Sequence, residues 1–249
     1  MDAKFEYVLR LGDNALILGQ RLAEWLGHAP VLEEDIASAN ISLDLVGQAR
    51  LWLTCAGAVE GAGRDEDRLA YHREQHQYRN FTMLELPNND YAFTIVRRVL
   101  FDVWHCLALG KLARSKDADI AAIAAKSKKE AEYHRRHSGD WLLRMGDGTA
   151  ESHARTQAAL EALWRYTAEF FESDAVDQAM AASGEGFAAG SLRDKWLEEV
   201  KTMLDEATLA VPASAKFVSR GKLGGHSEHL GHLLAEMQVL QRAQPGARW

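Results

Sequence analysis

A chain of 249 residues is long enough for one large domain, because a chain of this length buries about three quarters of the surface it exposes when unfolded. Its hydrophobic share of 47% and charged share of 26% are those of a globular protein, which excludes intrinsic disorder and a membrane-embedded chain, and only four prolines favour helices. A net charge of −7 excludes the basic surface that nucleic-acid binding needs, no run reaches the roughly 18 apolar residues of a membrane span, and the N-terminus has no secretion signal, so a soluble cytoplasmic protein is expected.

Helical periodicity dominates and no convincing alternating strand occurs, so the expected class is all-α. A first helix is predicted over residues 5–26, stopped by Gly27-His28-Ala29-Pro30, and a second over 33–59, closed by Gly61-Ala62-Gly63. A shorter helix is predicted over 65–79, and residues 80–87 carry no clear signal. Asn88-Asn89-Asp90 supplies cap chemistry for a long helix over 91–113, and Asp117 or Asp119 opens another that runs to Met145 and closes at Gly146.

Further helices are predicted over 151–172 and 174–182. Ser191 and Asp194 have the spacing of a capping box before a helix ending near Leu209. Residues 211–225, VPASAKFVSRGKLGG, read as a flexible basic loop, followed by a terminal helix over 228–242. No internal repeat or dividing linker is evident, so residues 1–249 are expected to form a single domain. Cys55 and Cys106 lie inside apolar helical patterns and read as small core residues of a reducing compartment.

Four long helices suggest a bundle, and bundles place cofactor sites at mid-helix positions facing inward. Polar residues interrupt the apolar seams there. The fourth long helix has Glu130 and His134 in KEAEYHRRH, the third has Asp102 and His105 in FDVWHC, the second has Asn40, Asp44 and Gln48, and the first has Asp13, Gln20 and Glu24.

A di-metal carboxylate bundle takes a Glu from each of two helices and Glu-x-x-His from each of the other two. Here Ala131 stands three residues before His134, with Glu130 one position off the motif, and Leu45 and Gln48 occupy the corresponding positions of the second helix. Asp102 and His105 are a single pair. The cluster Asp44, Asp102, His105, Glu130 and His134 therefore reads as a polar network between helices, with no metal expected in this chain.

His226, His229 and His232 with Glu236 offer a weaker metal-ligand spacing, diluted by glycines and a serine. Gln77, Tyr78, Arg79 and Asn80, at a predicted helix end, are equally a surface turn and a place to touch a polar ligand. Nucleophile elbows, dinucleotide fingerprints and phosphate-binding loops are missing from the sequence.

The blocks RLGDNALILGQRLAEWLGHAPVLEEDIASANISLDLVGQAR, FDVWHC, KEAEYHRRHSGDWL and HSEHLGHLLAEMQVLQRAQPGARW resemble, essentially end to end, the C subunits of the bacterial ring-1,2-phenylacetyl-CoA epoxidases. That resemblance implies a ferritin-like helical bundle with additional C-terminal helices, acting as a non-catalytic structural subunit in aerobic phenylacetate catabolism. It implies pairing with a catalytic A subunit that holds the di-iron centre and epoxidises phenylacetyl-CoA, with electrons from NADPH through a separate reductase carrying FAD and iron–sulfur. It also marks Ala131, Leu45 and Gln48 as positions where a metal-binding relative has ligands, and nominates residues 77–80 for a rim around the CoA ester. Three readings stay open beside it: an independent metal-binding oxidase of the same fold, a small-molecule binding protein for the CoA ester alone, and a homodimer of the isolated chain formed by covering an apolar face.

Overall fold

The computed structural model describes residues 2–213, 217–244 and 247. Eleven α-helices are present among the described residues. They begin with α1 (Ala3–Glu24), α2 (Leu32–Glu60), α3 (Glu66–Tyr71), α4 (Thr82–Glu85), α5 (Tyr91–Leu112) and α6 (Ala118–Gly146). The series continues with α7 (Ala150–Trp164), α8 (Ala175–Ser183), α9 (Arg193–Glu206), α10 (Glu228–Met237) and α11 (Val239–Ala243). The described residues contain no strand, only one isolated antiparallel bridge between Arg220 and Gly225, so the class is all-α, consistent with the ferritin-like expectation. No described helix is long and apolar enough to cross a membrane.

The chain divides into two compact units, Met1–Pro87 with Ser219–Trp249, and Asn88–Val218. The first is built on the α1–α2 pair. Every residue of α1 from Phe5 to Gly19 is buried, so this helix is enclosed on all sides rather than amphipathic. Gly12 is what lets α2 come so close: a Cβ there would lie 2.8 Å from Leu53 Cδ2. Seven residues on, the Ser42 hydroxyl of α2 donates to the Gly19 carbonyl at 2.8 Å.

The second unit is built on the α5–α6 pair, with α7 and α9 against both. The Asp90 carboxylate accepts from the Phe93 N–H at 2.8 Å and the Asp117 carboxylate from the Ile120 N–H at 2.9 Å, so each long helix starts at a side-chain cap. Asp117, not Asp119, opens α6.

Several predicted elements differ from those observed. The helix predicted over 65–79 stops at Tyr71, and a 3-10 turn over Gln75–Gln77 follows, because the Arg73 side chain turns inward to Asp13. The unassigned segment contains α4. The helix predicted over 151–172 ends at Trp164, and a 3-10 turn over Thr167–Phe171 follows, with the Thr167 hydroxyl donating to the Trp164 carbonyl at 2.8 Å.

The capping box predicted at Ser191 and Asp194 does not form; a 3-10 turn over Ala189–Leu192 leads the chain directly into α9. The terminal helix is broken into α10 and α11 at Gln238, whose amide reaches inward to the Arg73 carbonyl at 3.0 Å and the Tyr78 hydroxyl at 2.7 Å.

Of the loop predicted over 211–225, residues 214–216 lie outside the described residues. Its latter part is wedged into the first unit rather than solvated. Ser219, Gly221 and Lys222 are buried, and a Cβ on Gly221 would stand 2.3 Å from the Asn80 carbonyl oxygen.

Candidate functional site

Helix α5 is buried along nearly its whole length, yet its apolar run Ile95–Val103 contains two adjacent arginines and an aspartate. Arg98, Asp102 and His105 fall at positions i, i+4 and i+7, one above another on a single face. From α6, the buried positions Ser127, Ala131, His134 and Ser138 form the corresponding stripe. One arginine–carboxylate pair sits within this packing. Arg98 Nη2 lies 3.5 Å from Asp102 Oδ2, and both side chains are 1% exposed.

The surrounding polar atoms hold both partners. The Ser138 hydroxyl donates to Asp102 at 2.8 Å, Arg98 Nη2 donates to the His134 carbonyl at 3.3 Å, and Arg98 Nη1 meets His137 Nδ1 at 3.2 Å. Burial lifts the Asp102 carboxyl above the usual range, an effect partly offset by the Arg98 charge and the Ser138 hydrogen bond.

His105 and His134 are both pushed down to about 3, first by burial, then by neighbouring positive charge: His134 acting on His105, Arg98 and His137 acting on His134. Both imidazoles are therefore neutral at physiological pH. His105 stacks on Phe101 with ring centroids 5.0 Å apart, and its Nδ1 has no hydrogen-bond partner among the described residues.

Of the sequence-nominated cluster, Asp102, His105 and His134 come together on α5 and α6. Glu130 is half-buried one helical turn from His134, and Asp44 lies half-buried on α2 in the other unit, its carboxyl raised by burial. Asn40, expected on the same strip as Asp44 and Gln48, is exposed, whereas Gln48 is buried. Among the described residues, no three His, Cys, Asp or Glu side chains meet as a metal ion requires.

The residues present do not fit a di-metal carboxylate centre. Two cations need several anionic oxygens and imidazole nitrogens at once, whereas the buried carboxylate of α5 already faces a guanidinium that cannot be deprotonated. The terminal histidines do not converge either. His226 turns inward, with Nδ1 2.7 Å from Glu85 Oε2 and Nε2 2.9 Å from the Tyr78 carbonyl, while His232 is exposed.

Residues 77–80 belong to a second buried network, in the first unit. Asp13 is paired with Arg73, which also stacks 4.1 Å from the Tyr78 ring centroid, and Asp13 accepts the Arg79 N–H at 2.8 Å. Arg79 pairs in turn with Glu6. Tyr78 and Asn80 are fully buried, with Asn80 donating to Glu85 at 2.9 Å; Gln77 and Arg79 are half-buried.

The organising residues that sequence reading passed over are thus Arg98, Arg73 and Glu85. The signal for Arg98 was present: a pair of arginines inside an otherwise apolar stretch must be matched by buried acceptors.

This charged pairing across an all-α scaffold can be set beside known proteins. The sequence profile described as phenylacetic acid catabolic protein matches residues 1–249. The chain belongs to the phenylacetic acid catabolic protein family. One curated relative, the C subunit of the 1,2-phenylacetyl-CoA epoxidase of Escherichia coli (strain K12), is 49% identical over 243 residues, which span 98% of each chain. The end-to-end similarity read from the four sequence blocks is therefore shown, and it places this family member in phenylacetic acid catabolism.

Proposed function

We propose that this chain is a non-catalytic structural subunit of a phenylacetyl-CoA 1,2-epoxidase complex, pairing with and stabilising a catalytic A subunit that carries the di-iron centre. The observation that carries this reading is the guanidinium of Arg98 beside Asp102, 3.5 Å apart and both buried. A fixed organic cation supplies the positive charge that this carboxylate needs and consumes its ligand capacity. Side chains of α5 and α6 then serve to hold the helices in place rather than to bind oxygen or metal.

The outer face of α2 supports the pairing. Leu32, Ile36 and Leu43 are 71%, 53% and 68% exposed and lie on one side of the helix, apolar where a free surface is ordinarily charged. The A subunit is the cover that this reading supplies for that face. On the same reading the complex works in the cytoplasm with the other epoxidase subunits, and NADPH, FAD and iron–sulfur act in a separate reductase. Of the four rim residues, Gln77 and Arg79 are those through which a contact with the CoA ester is made. The profile's match over residues 1–249 supports treating the chain as one ferritin-like domain.

Elemental analysis tests the reading. The chain is purified alone and co-purified with its A subunit, and iron is measured per chain. The reading expects well under one iron per chain alone and about two per A subunit in the assembly, as a di-metal site requires. Stoichiometric iron in this chain alone overturns it and favours the independent metal-dependent oxidase.

A further inference from the structure

Along α2 the exposed residues fall in one narrow stripe. From Glu33 it runs through Ile36, Asn40, Leu43, Gly47 and Arg50 in alternating steps of three and four, and every residue between these is buried or half-buried. A stripe repeating about every 3.5 residues is the seam along which one helix packs lengthwise on another. We propose that this seam holds a second copy of the chain, the two α2 helices running antiparallel about a twofold axis, until an A subunit displaces it. The displacement rests on the subunit reading; the pairing does not.

The seam fits itself in one register. A twofold axis makes every contact twice, so a residue that meets another across it is met in the same way in return. With Ile36 set against the partner's Gly47, a bulky side chain enters a notch: a Cβ on Gly47 would have nothing within 4 Å, so the space above it is open. In that register Asn40 meets the partner's Leu43, Leu32 meets the partner's Leu51, and Glu33 meets the partner's Arg50. Knob, notch and opposite charges agree without adjustment. Shifting one copy by a helical turn sets Ile36 against the partner's Asp44 or Arg50, and both matches are lost.

Charge sets the direction. The first turn of α2 carries Glu33, Glu34 and Asp35, and its last turn has no basic residue. Parallel helices would bring the two acidic turns together, whereas antiparallel ones bring each to the other's Arg50. That side chain is 75% exposed; its Nε donates to Glu66 at 3.2 Å, and its terminal nitrogens bond nothing among the described residues. Exposed pairs of this kind add little affinity and act on orientation and register. Affinity comes from the apolar residues, since the largely exposed Ile36 and Leu43 leave water in both copies at once. An unrelated helix need match none of these features, whereas a second copy matches all of them by symmetry.

Sedimentation velocity of the full chain over a micromolar concentration series, alone and after addition of the A subunit, tests the proposal. Gly47→Glu puts a charge in the notch and spares the chain's own fold, because the position is open and glutamate is the better helix former. The expected result is a reversible dimer, at least tenfold weaker in Gly47→Glu and at least threefold weaker in E33R, restored in E33R/R50E, and replaced by a mixed assembly when the A subunit is added. Unchanged circular dichroism and thermal midpoint separate lost pairing from lost folding. A monomer at every concentration, a dimer indifferent to Gly47→Glu, or no recovery in E33R/R50E overturns the pairing. A chain that is monomeric alone yet joins the A subunit overturns the pairing and leaves the subunit reading standing. A dimer that persists unchanged beside the A subunit overturns the displacement and that reading's claim on this face, and upholds the pairing.

Discussion

Arg98 and Asp102 form an ion pair within one helix, one turn apart, with Nη2 to Oδ2 at 3.5 Å and neither side chain more than 1% exposed. Such a pair adds little net stability over a well-packed apolar alternative, because desolvating both charges costs about as much as their attraction returns. What it confers is register. The Ser138 hydroxyl and the His134 carbonyl of α6 complete the shells of the two charges, so α6 satisfies them in only one alignment with α5.

Removing one partner leaves the other buried and uncompensated. The substitution Arg98→Met is expected to cost about 3–5 kcal/mol in urea unfolding, and the double variant R98M/D102L to recover most of that loss. A single-variant loss below about 1 kcal/mol would show that water reaches Asp102 and that the pair does not set the register.

The neutral histidines predict acid sensitivity. An unfolded histidine titrates near 6.5, whereas His105 and His134 titrate at about 3 in the fold. Between those values the unfolded state binds more protons, so stability falls as pH drops from about 6.5 toward 3. Asp102 acts in the opposite sense, because its raised carboxyl takes up a proton in the fold earlier than in the unfolded chain. Comparing variant with wild type isolates the imidazole: urea midpoints measured at pH 7.5, 5.5 and 4.5 are expected to fall less steeply for His105→Gln. An unchanged slope would exclude His105 as a source of the acid sensitivity.

Gly221 offers a test of packing alone. A Cβ there would meet the Asn80 carbonyl oxygen at 2.3 Å and the Thr82 nitrogen at 2.7 Å, both backbone atoms that cannot swing aside. Gly221→Ala is expected to lower stability by about 1–3 kcal/mol in thermal or urea unfolding. A neutral effect would mean that the 219–225 turn is held less tightly than these distances require.

Local chemistry was legible in the sequence. Asp90 and Asp117 announce α5 and α6 because a carboxylate before an apolar run can take the free N–H groups of a first turn, and Gly61 ends α2 as read. The breaks at Arg73 and Gln238 were not legible, since each is made by a side chain reaching a partner more than 50 residues away, Asp13 in one case and Tyr78 in the other. The polar centre was half legible. Asp102, His105 and His134 stand out by spacing, but the cation beside them was overlooked, because an arginine in a helix is normally read as solvent-facing.

The C-terminal return is joined to the rest of the first unit by a titratable contact. Burial alone would push His226 down, but the hydrogen bond and charge of Glu85 outweigh it, and the Tyr78 carbonyl and the Asp13 charge add to the upward shift. A histidine raised above its unfolded value of about 6.5 stabilises fully below that pH, and its contribution is lost as pH rises through the folded value. Glu85 also accepts the Ser227 N–H at 2.6 Å, so the start of α10 depends on the same carboxylate. Hydrogen exchange, corrected for intrinsic base catalysis, is expected to show residues 226–238 losing about 1.5–3 kcal/mol of protection between pH 6 and 9, the range for a hydrogen bond to a charged group. His226→Gln should make that protection independent of pH. If wild-type protection is already flat over the interval, His226 is neutral throughout and Glu85 holds the segment through the Ser227 amide alone.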